Sequence, residues 1–323
     1  MAVHMSLLLL ATLLLTSLGR SFSPDSSQHL QQIYQFPNGT WAENIAIRPN
    51  GNILVTLAST PELWEVIPQP QKPNQARLVH HFQEAQMTTG ITELEPDLFV
   101  VATEKSVWSV DFNQERSPSR IPLQKIATIP AAGSLNGMAT LNAETRTVVI
   151  ADCEAGLVWK LDTNTGKHTV MLKDKTMAAN TEMGVLLGIN GLQVHNGYVY
   201  YVNTPEQLFC RIPVDTATGQ QLGPREIISE DILCDDFAIS AQGVGYLAGF
   251  RDNVVTRVSL DGRQQIVAGS HDSRELMSAT SVAFGRHQKS HVLYITNGGE
   301  TPSAMPNSTA TRGGKVTALL LDS

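Results

Sequence analysis

The stretch Glu43–Val66 has the sequence ENIAIRPNGNILVTLASTPELWEV and contains three short apolar runs separated by turn residues. Ile45–Ile47 comes first, Asn52–Thr56 follows the Pro-Asn-Gly turn, and Leu63–Val66 carries a bulky Leu-Trp pair. Runs of this length, rich in β-branched residues and bounded by Pro, Asn and Gly, predict antiparallel β-strands. The stretch is therefore expected to form three strands joined by tight turns.

This unit recurs six times along the chain. The positions two residues ahead of each first strand are separated by 46, 47, 54, 45 and 45 residues. These six positions are Glu43, Thr89, Asn136, Asn190, Asp235 and Thr280. A period of this size, with three or four strands in each repeat, is typical of propeller blades. The sequence predicts an all-β fold, a six-bladed β-propeller of four-stranded blades.

A fourth, outer strand follows each of the first five units and is missing after the sixth. The five outer strands are Ala76–Phe82, Gln124–Ile129, His168–Leu172, Glu226–Ser229 and Gln264–Gly269. Leu30–Phe36 has the same character and precedes the first unit. We expect this N-terminal strand to complete the last blade, because an open ring would expose unpaired sheet edges. Residues 24–323 are thus predicted to form a single domain.

The first 23 residues are predicted to be a secretion signal. Leu7–Leu15 forms a short apolar core, and small residues that suit signal peptidase follow it. Two acceptor sequons, at Asn38 and Asn307, fit the secretory route and predict N-glycosylation. The mature protein is expected outside the cell or in the lumen of the secretory pathway.

The amino-acid composition and the motifs that are missing exclude several kinds of binding partner. The net charge is -7 and no basic cluster is interleaved with aromatic residues, so nucleic acid and, after signal removal, membranes are poor partners. No nucleophile elbow, P-loop, dinucleotide fingerprint or His-Glu-x-x-His motif is present. Cys153, Cys210 and Cys234 allow at most one bridge within the monomer, and their spacing selects no pair. A small-molecule substrate is the partner that remains.

The six aligned positions are expected to form a ring at the mouth of the central channel, because inner strands of a propeller begin at one rim. Four of them carry carboxylate or amide oxygens and two carry hydroxyls. Hard oxygen donors with excess negative charge suit Ca²⁺ or a similar ion. The alternative is that residues such as Asn136 and Asn190, each followed by Gly, simply form turns.

The motifs around this ring resemble those of the regucalcin and gluconolactonase family. They are Glu43-Asn44-Ile45-Ala46, Asn136-Gly137, Asn190-Gly191-Leu192 and Asp235-Asp236-Phe237-Ala238. The resemblance spans nearly the whole mature chain and implies a six-bladed propeller with a central divalent metal. By this resemblance Glu43, Asn136, Asn190 and Asp235 would be the metal ligands, and Asp235 would also be the general base.

Three positions depart from the lactonase pattern. The lactonases have an Arg and an Asp that grip sugar hydroxyls where this chain has Ser134 and Gly137, and a Gly where it has Asp236. A polar substrate needs paired hydrogen-bonding groups to offset its desolvation. Sugar lactonase activity is therefore not expected, even if a metal is retained.

The stretches FPNGTWAENIAIRPNGNILVT and CDDFAIS are more similar to secreted fungal propellers of secondary metabolism. Some members of that group are hetero-Diels–Alderases that join a tropolone-derived o-quinone methide to a humulene-type sesquiterpene. The resemblance implies an apolar pocket with a few polar groups and no required cofactor. Glu43 and Asp235 would be the catalytic residues.

The residues expected to line that pocket lie near the ring. They are Trp41, Thr89, Met138, Phe237 and Thr280, with Gly137 as the position where a large side chain would fill the space. Ordinary packing within the blades is the alternative for each. Two other functions remain open: a lactonase or esterase that depends on a divalent metal, and a non-catalytic ligand-binding propeller.

Overall fold

The computed structural model describes residues 30–69, 73–115, 121–286, 291–300 and 312–321. These residues form 24 strands in six antiparallel sheets of four strands each. Blades 1 to 3 contain β2 (Ala42–Ile47), β3 (Ile53–Leu57), β4 (Glu62–Ile67), β5 (Gln75–His81), β6 (Thr88–Glu95), β7 (Leu98–Thr103), β8 (Ser106–Asp111), β9 (Leu123–Thr128), β10 (Leu135–Asn142), β11 (Thr147–Asp152), β12 (Leu157–Asp162) and β13 (His168–Leu172).

Blades 4 to 6 repeat the arrangement. They contain β14 (Ile189–His195), β15 (Tyr198–Asn203), β16 (Leu208–Pro213), β17 (Glu226–Ser229), β18 (Phe237–Ile239), β19 (Gly245–Gly249), β20 (Val254–Val258), β21 (Gln264–Gly269), β22 (Ala279–Phe284), β23 (Val292–Asn297), β24 (Lys315–Leu320) and β1 (Leu30–Gln35). The predicted all-β propeller is confirmed. Two short 3₁₀ helices, Phe112–Gln114 and Lys175–Met177, also occur in the described part of the chain.

The N-terminal strand closes the ring as predicted. β1 pairs antiparallel with β24, in a register that runs from Leu30 opposite Leu319 to Gln35 opposite Lys315. The Gln35 side-chain amide also donates to the carbonyl of Gly314 at 3.1 Å. The last blade is thereby built from both ends of the propeller, and β1 supplies its outer strand.

The core lies between neighbouring blades. Second strands such as Ile53–Leu57 and Leu98–Thr103 are buried along their whole length, whereas the outer strand β1 is only partly buried. β-branched and aromatic side chains lie on both faces of these second strands, which suits strands that are buried on both sides. Strong packing between blades fixes the positions of the inner strands, which carry the site.

Several expectations fall outside this description. Residues 1–23, the predicted signal, and Asn307, one predicted glycosylation site, lie outside the described residues. In the described part, no helix is both long enough and apolar enough to span a bilayer.

All three cysteines are buried free thiols, so the one bridge that the sequence allowed is not formed. Burial raises the pKa of Cys153 and of Cys210 to about 12, which keeps these thiols protonated.

Candidate functional site

A β-bulge near the start of the first strand displaces the predicted ring positions from the regular ladder in five of the six blades. In blade 1 the pairing jumps from Ala42 to Ile45, which leaves Glu43 and Asn44 outside the ladder. The same jump over two residues occurs at β6, β10 and β14, whereas at β22 the pairing skips only Thr280. Bulges re-aim side chains and are common beside functional sites. The first strands of blades 1 to 4 therefore each have two consecutive positions outside the ladder, and the sequence repeat identified the first of them.

The first position carries two buried acids. Glu43 is 9% exposed, and its Oε2 accepts the indole N–H of Trp41 at 2.7 Å. Asp235 is 8% exposed, and its Oδ1 accepts the Asn190 side-chain amide at 2.5 Å. Among the described residues neither acid forms an ion pair with Lys, Arg or His. The structure thus gives two predicted site residues direct polar partners.

The orientation of the Asn190 amide is set by Thr204. The Thr204 hydroxyl donates its proton to the carbonyl of Cys234 at 2.7 Å, so its oxygen must accept from Asn190, at 3.0 Å. The Asn190 nitrogen therefore faces both Thr204 and Asp235, and its oxygen is turned away from Asp235. This second support for Asp235 was not found from the sequence, because Thr204 lies in a different turn.

Two of the ring hydroxyls do not face the channel. Thr89 Oγ1 donates to the carbonyl of Leu135 at 2.9 Å, and Thr280 Oγ1 donates to the carbonyl of Ala42 at 2.8 Å. Each bond joins one blade to the next, and both threonines are almost fully buried. These hydroxyls hold neighbouring blades together, and the assignment of Thr89 and Thr280 to a substrate pocket stays a prediction.

The position that follows each ring residue divides the ring into two halves. Blades 2, 3 and 4 have Gly90, Gly137 and Gly191 there, and blades 1, 5 and 6 have polar side chains. Asn44 donates to Asp236 at 2.7 Å and accepts from the Ser281 hydroxyl at 3.0 Å. These three side chains are buried and bonded to one another.

The glycines allow this close packing. A Cβ atom on Gly191 would lie 2.4 Å from Asp236 Oδ1, and one on Gly137 would lie 2.4 Å from the carbonyl oxygen of Asn190. Gly137 is itself buried and meets backbone atoms, so a large side chain there would disrupt the ring and would not simply fill a pocket. The expectation for Gly137 is corrected accordingly. The polar layer of Asn44, Asp236 and Ser281 was the part of the site that the sequence argument missed.

Burial controls the electrostatics of the acids. Burial raises the pKa of Glu43 to about 7, against the lowering effect of the Trp41 N–H. Burial likewise raises the pKa of Asp236 to about 7, although the Phe237 N–H and Asn44 act in the opposite direction. The pKa of Asp235 lies well above its usual value because of burial, and then because of the charges of Glu43 and Asp236. Such a cluster holds protons near neutral pH, which suits acid–base chemistry.

Aromatic side chains pack beside Glu43. Trp41 packs edge-to-face with Phe250 at a centroid distance of 5.8 Å, and its indole lies against Gly298. Trp41 is only 2% exposed, so the indole that bonds Glu43 is itself buried. Met138 and Phe237, also predicted for the pocket, are buried in the cores of blades 2–3 and 4–5. Both side chains are almost fully buried in these cores, and their assignment to a substrate pocket stays a prediction.

The predicted metal ligands fit a hard divalent ion in their chemistry. Glu43 and Asp235 each retain one carboxyl oxygen without a hydrogen bond from the described residues. Asn136 is half-buried at the equivalent bulge of blade 3, and the Asn190 oxygen is not turned toward Asp235. Within the described ranges, no three His, Cys, Asp or Glu side chains converge as a ready-made metal cage. An ion would therefore need the amide oxygens as well as the acids.

Two clefts lie apart from the buried acids. A cleft of about 400 Å³ lies beside the turn at Glu154–Gly156, and one of about 330 Å³ lies beside the closing seam. None of the three acids lines either cleft. Asn38, the first predicted glycosylation site, is exposed in a turn at the edge of the second cleft.

Comparison with known proteins supports the expected resemblance in sequence. No protein-family model matches the chain. A protein of Sarocladium schorii, provisionally named hetero-Diels-Alderase asR5, is 27% identical over 315 residues, covering 82% of this chain and 77% of the relative. A protein of a Phoma species, provisionally named a hetero-Diels-Alderase, is 28% identical over 302 residues, covering 82% of this chain and 85% of the relative.

Solved structures share the fold. The calcium-binding protein regucalcin of Agrobacterium tumefaciens superposes with a TM-score of 0.62 at 16% identity, over 90% of this chain and 92% of that one. A gluconolactonase of Xanthomonas campestris gives a TM-score of 0.63 at 14% identity, with 91% and 89% coverage. The resemblance predicted from the ring motifs is confirmed: the relatives carry the hetero-Diels–Alderase name, and the fold is that of the regucalcin and gluconolactonase propellers.

Proposed function

We propose that this protein is a hetero-Diels–Alderase that joins a tropolone-derived o-quinone methide to a humulene-type sesquiterpene in secondary-metabolite biosynthesis. The observation that carries the proposal is a group of buried acids for which the described residues provide no cationic partner. Glu43, Asp235 and Asp236 form the group, and the buried indole of Trp41 bonds Glu43. The names of the two relatives support the same reaction class.

The proposed chemistry starts with loss of water from a hydroxymethyl tropolone. A neutral carboxyl of Glu43 or Asp235 gives its proton to the leaving hydroxyl, and the carbon–oxygen bond breaks as water departs. The carboxylate that results takes the proton of the neighbouring ring hydroxyl, which gives the o-quinone methide and restores the acid. Because Glu43 and Asp235 are nearly buried, either Trp41 must shift or the substrate must contact the small part of these acids that is exposed.

The cycloaddition itself needs no redox partner and loses no atoms. The exocyclic methylene of the quinone methide forms a carbon–carbon bond to the alkene, and the carbonyl oxygen forms a carbon–oxygen bond, closing a six-membered ring. Holding the two reactants in this orientation supplies most of the acceleration, with effective molarities up to ~10⁵–10⁸ M. A protonated carboxyl that donates to the carbonyl oxygen adds to this by drawing electron density from the heterodiene.

A lactonase or esterase that depends on a divalent metal is the second candidate. The oxygen donors of Glu43, Asn136, Asn190 and Asp235 favour it, and a bound ion would polarise an ester carbonyl. Two observations argue against a sugar as the substrate. Gly137 has no side chain to bind a hydroxyl group, and the backbone N–H of Ser134 already donates to Asp152. A non-catalytic ligand-binding propeller is the third candidate.

The proposed setting is the secretory pathway. Removal of residues 1–23 and glycosylation at Asn38 and Asn307 belong to this proposal, and the exposure of Asn38 in a turn is compatible with it. The proposed partner is a small molecule, with no nucleic acid and no membrane after removal of the signal. The cyclase needs no cofactor, whereas the second candidate implies one Ca²⁺ or similar ion.

The test uses purified protein with a hydroxymethyl tropolone and humulene, and follows yield and enantiomeric excess. The proposal predicts an excess of one enantiomer over the spontaneous product, unchanged after exhaustive chelation. A product ratio equal to the spontaneous one, together with calcium-dependent hydrolysis of aryl esters, would establish the lactonase in its place. Tight retention of the ligands without turnover would favour the binding propeller.

A further inference from the structure

Trp41 occupies a position that the sequence assigned to substrate contact, but its surroundings indicate another role. Its backbone N–H donates to the Ser59 hydroxyl at 2.8 Å, and its carbonyl accepts from Ala58 at 3.1 Å. Both polar groups of its backbone are thereby engaged. A side chain on so fixed a backbone has few ways to move relative to the strand that follows it.

The indole ring is held on two further sides. A Cβ atom on Gly298 would lie 2.5 Å from the ring, so the indole lies flat against the backbone at that position. Phe250, which follows β19 of blade 5, meets it edge-to-face at 5.8 Å. Contacts from blades 1, 5 and 6 therefore fix the direction of the indole N–H.

That N–H ends on Glu43. The Trp41 Nε1 donates to Glu43 Oε2 at 2.7 Å, and this is the one hydrogen bond that the Glu43 carboxyl receives from the described residues. With Oε2 engaged, Oε1 is the oxygen left to carry a proton or to meet a substrate. A carboxyl held by one oxygen in this way keeps its other oxygen in one place.

We propose that Trp41 is a positioning residue, which fixes the Glu43 carboxyl so that its free oxygen faces the reacting molecule. This inference rests on the proposed function, because the reaction gives that oxygen its role. Trp41 acts through Glu43 and need not touch the substrate. It does explain why a large aromatic side chain is almost fully buried beside an acid at the channel mouth.

The chain provides a matched control. Trp64 Nε1 donates to Glu62 Oε2 at 2.8 Å, with the same spacing of two residues, but on the third strand of blade 1 and away from the channel. Trp64→Phe removes an indole–carboxylate bond of the same kind. Trp108, whose Nε1 is buried without a hydrogen-bond partner in the described part of the chain, serves as the unbonded reference.

The first measurement does not depend on activity. In protein labelled with ¹⁵N-tryptophan the four indole signals are assigned by single Trp→Phe variants, since the chain has four tryptophans. Glu43→Gln should move the Trp41 signal and leave those of Trp64 and Trp108 in place, and Glu62→Gln should move only the Trp64 signal. A Trp41 signal that does not respond to Glu43→Gln would overturn the proposal.

The second measurement is turnover of the tropolone and humulene pair. We expect Trp41→Phe, which keeps an aromatic ring, to lower kcat about tenfold with little change in KM, as loss of one hydrogen bond to the acid implies. Trp64→Phe should stay within about twofold of the wild type. Equal kcat for Trp41→Phe and wild type would overturn the positioning role. If the wild type forms no cycloadduct, the proposed function fails, and the indole signals alone decide whether Trp41 holds Glu43.

Discussion

Blade 1 carries two buried glutamates that the protein treats in opposite ways. Glu65 is fully buried and is surrounded by cations: Arg48 contacts one carboxyl oxygen at 2.5 Å, and the Arg77 Nε contacts the other at 2.6 Å. Glu43 is nearly as buried but has only an indole N–H. A buried charge is costly unless it is paired. The difference indicates that Glu65 is part of the framework, whereas Glu43 is buried without a compensating cation among the described residues.

The network around Glu65 extends to blade 2. Arg48 also bonds Asp97 at 2.8 Å and lies over the Phe112 ring at 3.9 Å, and Arg77 bonds Glu115 at 2.7 Å. These contacts join blades 1 and 2 at the end of the inner strands opposite the ring. By contrast, the acids of the channel mouth add like charges to one another. Buried acids therefore stabilise one end of the propeller through ion pairs, whereas at the channel mouth the buried acids repel one another.

Removing the Glu65 charge should have the largest effect on stability. Glu65→Gln leaves Arg48 buried without its closest anion, and breaking a buried pair typically costs about 3–5 kcal/mol. Urea denaturation at pH 7 measures the free energy of unfolding. A loss below about 1 kcal/mol would mean that the network does not support the fold as the comparison requires.

A side chain at Gly191 tests how tightly the channel mouth is packed. Gly191→Ala places a Cβ atom 2.4 Å from Asp236 Oδ1 and 2.7 Å from Asp236 Cα. Such overpacking is expected to cost about 2 kcal/mol. A melting temperature equal to that of the wild type would show that the polar layer is looser than described.

Neutralising Glu43 should increase the free energy of unfolding, whereas neutralising Glu65 should decrease it. Its pKa is raised to about 7 in the folded state, so the folded protein binds the proton more tightly than the unfolded chain does. The stability that this provides is present in acid and is lost as the pH rises toward 7. In chelator, Glu43→Gln should therefore raise the free energy of unfolding by about 2 kcal/mol at pH 8 and change it little at pH 4.

The same variant separates the proton from a metal. If a divalent ion neutralises the acids, wild-type protein should instead be more stable than Glu43→Gln in calcium, because the variant loses a ligand. Unfolding curves with calcium and with chelator give the comparison. A variant that is less stable than the wild type at pH 8 even in chelator would contradict the assignment of Glu43 as an unfavourable buried acid.

The smallest effect is expected at an exposed acid. Asp261 pairs with Arg263 at 2.7 Å, but both side chains are more than half exposed. Solvent screens such a pair, so Asp261→Asn should leave the melting temperature unchanged within error. A clear loss there would mean that exposed pairs matter in this protein, and the contrast between Glu65 and Glu43 would lose its force.

The repeat of Glu43, Asn136, Asn190 and Asp235 predicted the blades and the ring because strand period and blade length are properties of the sequence itself. The closing strand followed from counting outer strands. The directions of side chains within the ring could not be found in this way. Thr89 and Asn136 occupy equivalent positions, but the Thr89 hydroxyl bonds the next blade. Which side chain faces the channel depends on bulges and on neighbouring blades, which are not adjacent in sequence.

The central claim is that the acids of the channel mouth are retained for catalysis at the expense of stability. The most direct test is the turnover of the tropolone and humulene pair at pH 7 by the double variant Glu43→Gln with Asp235→Asn, measured on protein shown to be folded. The account predicts that this variant loses at least about tenfold in kcat/KM, as expected when a general acid is removed, while remaining folded. A folded variant that turns over as fast as the wild type, with the same enantiomeric excess, would contradict it.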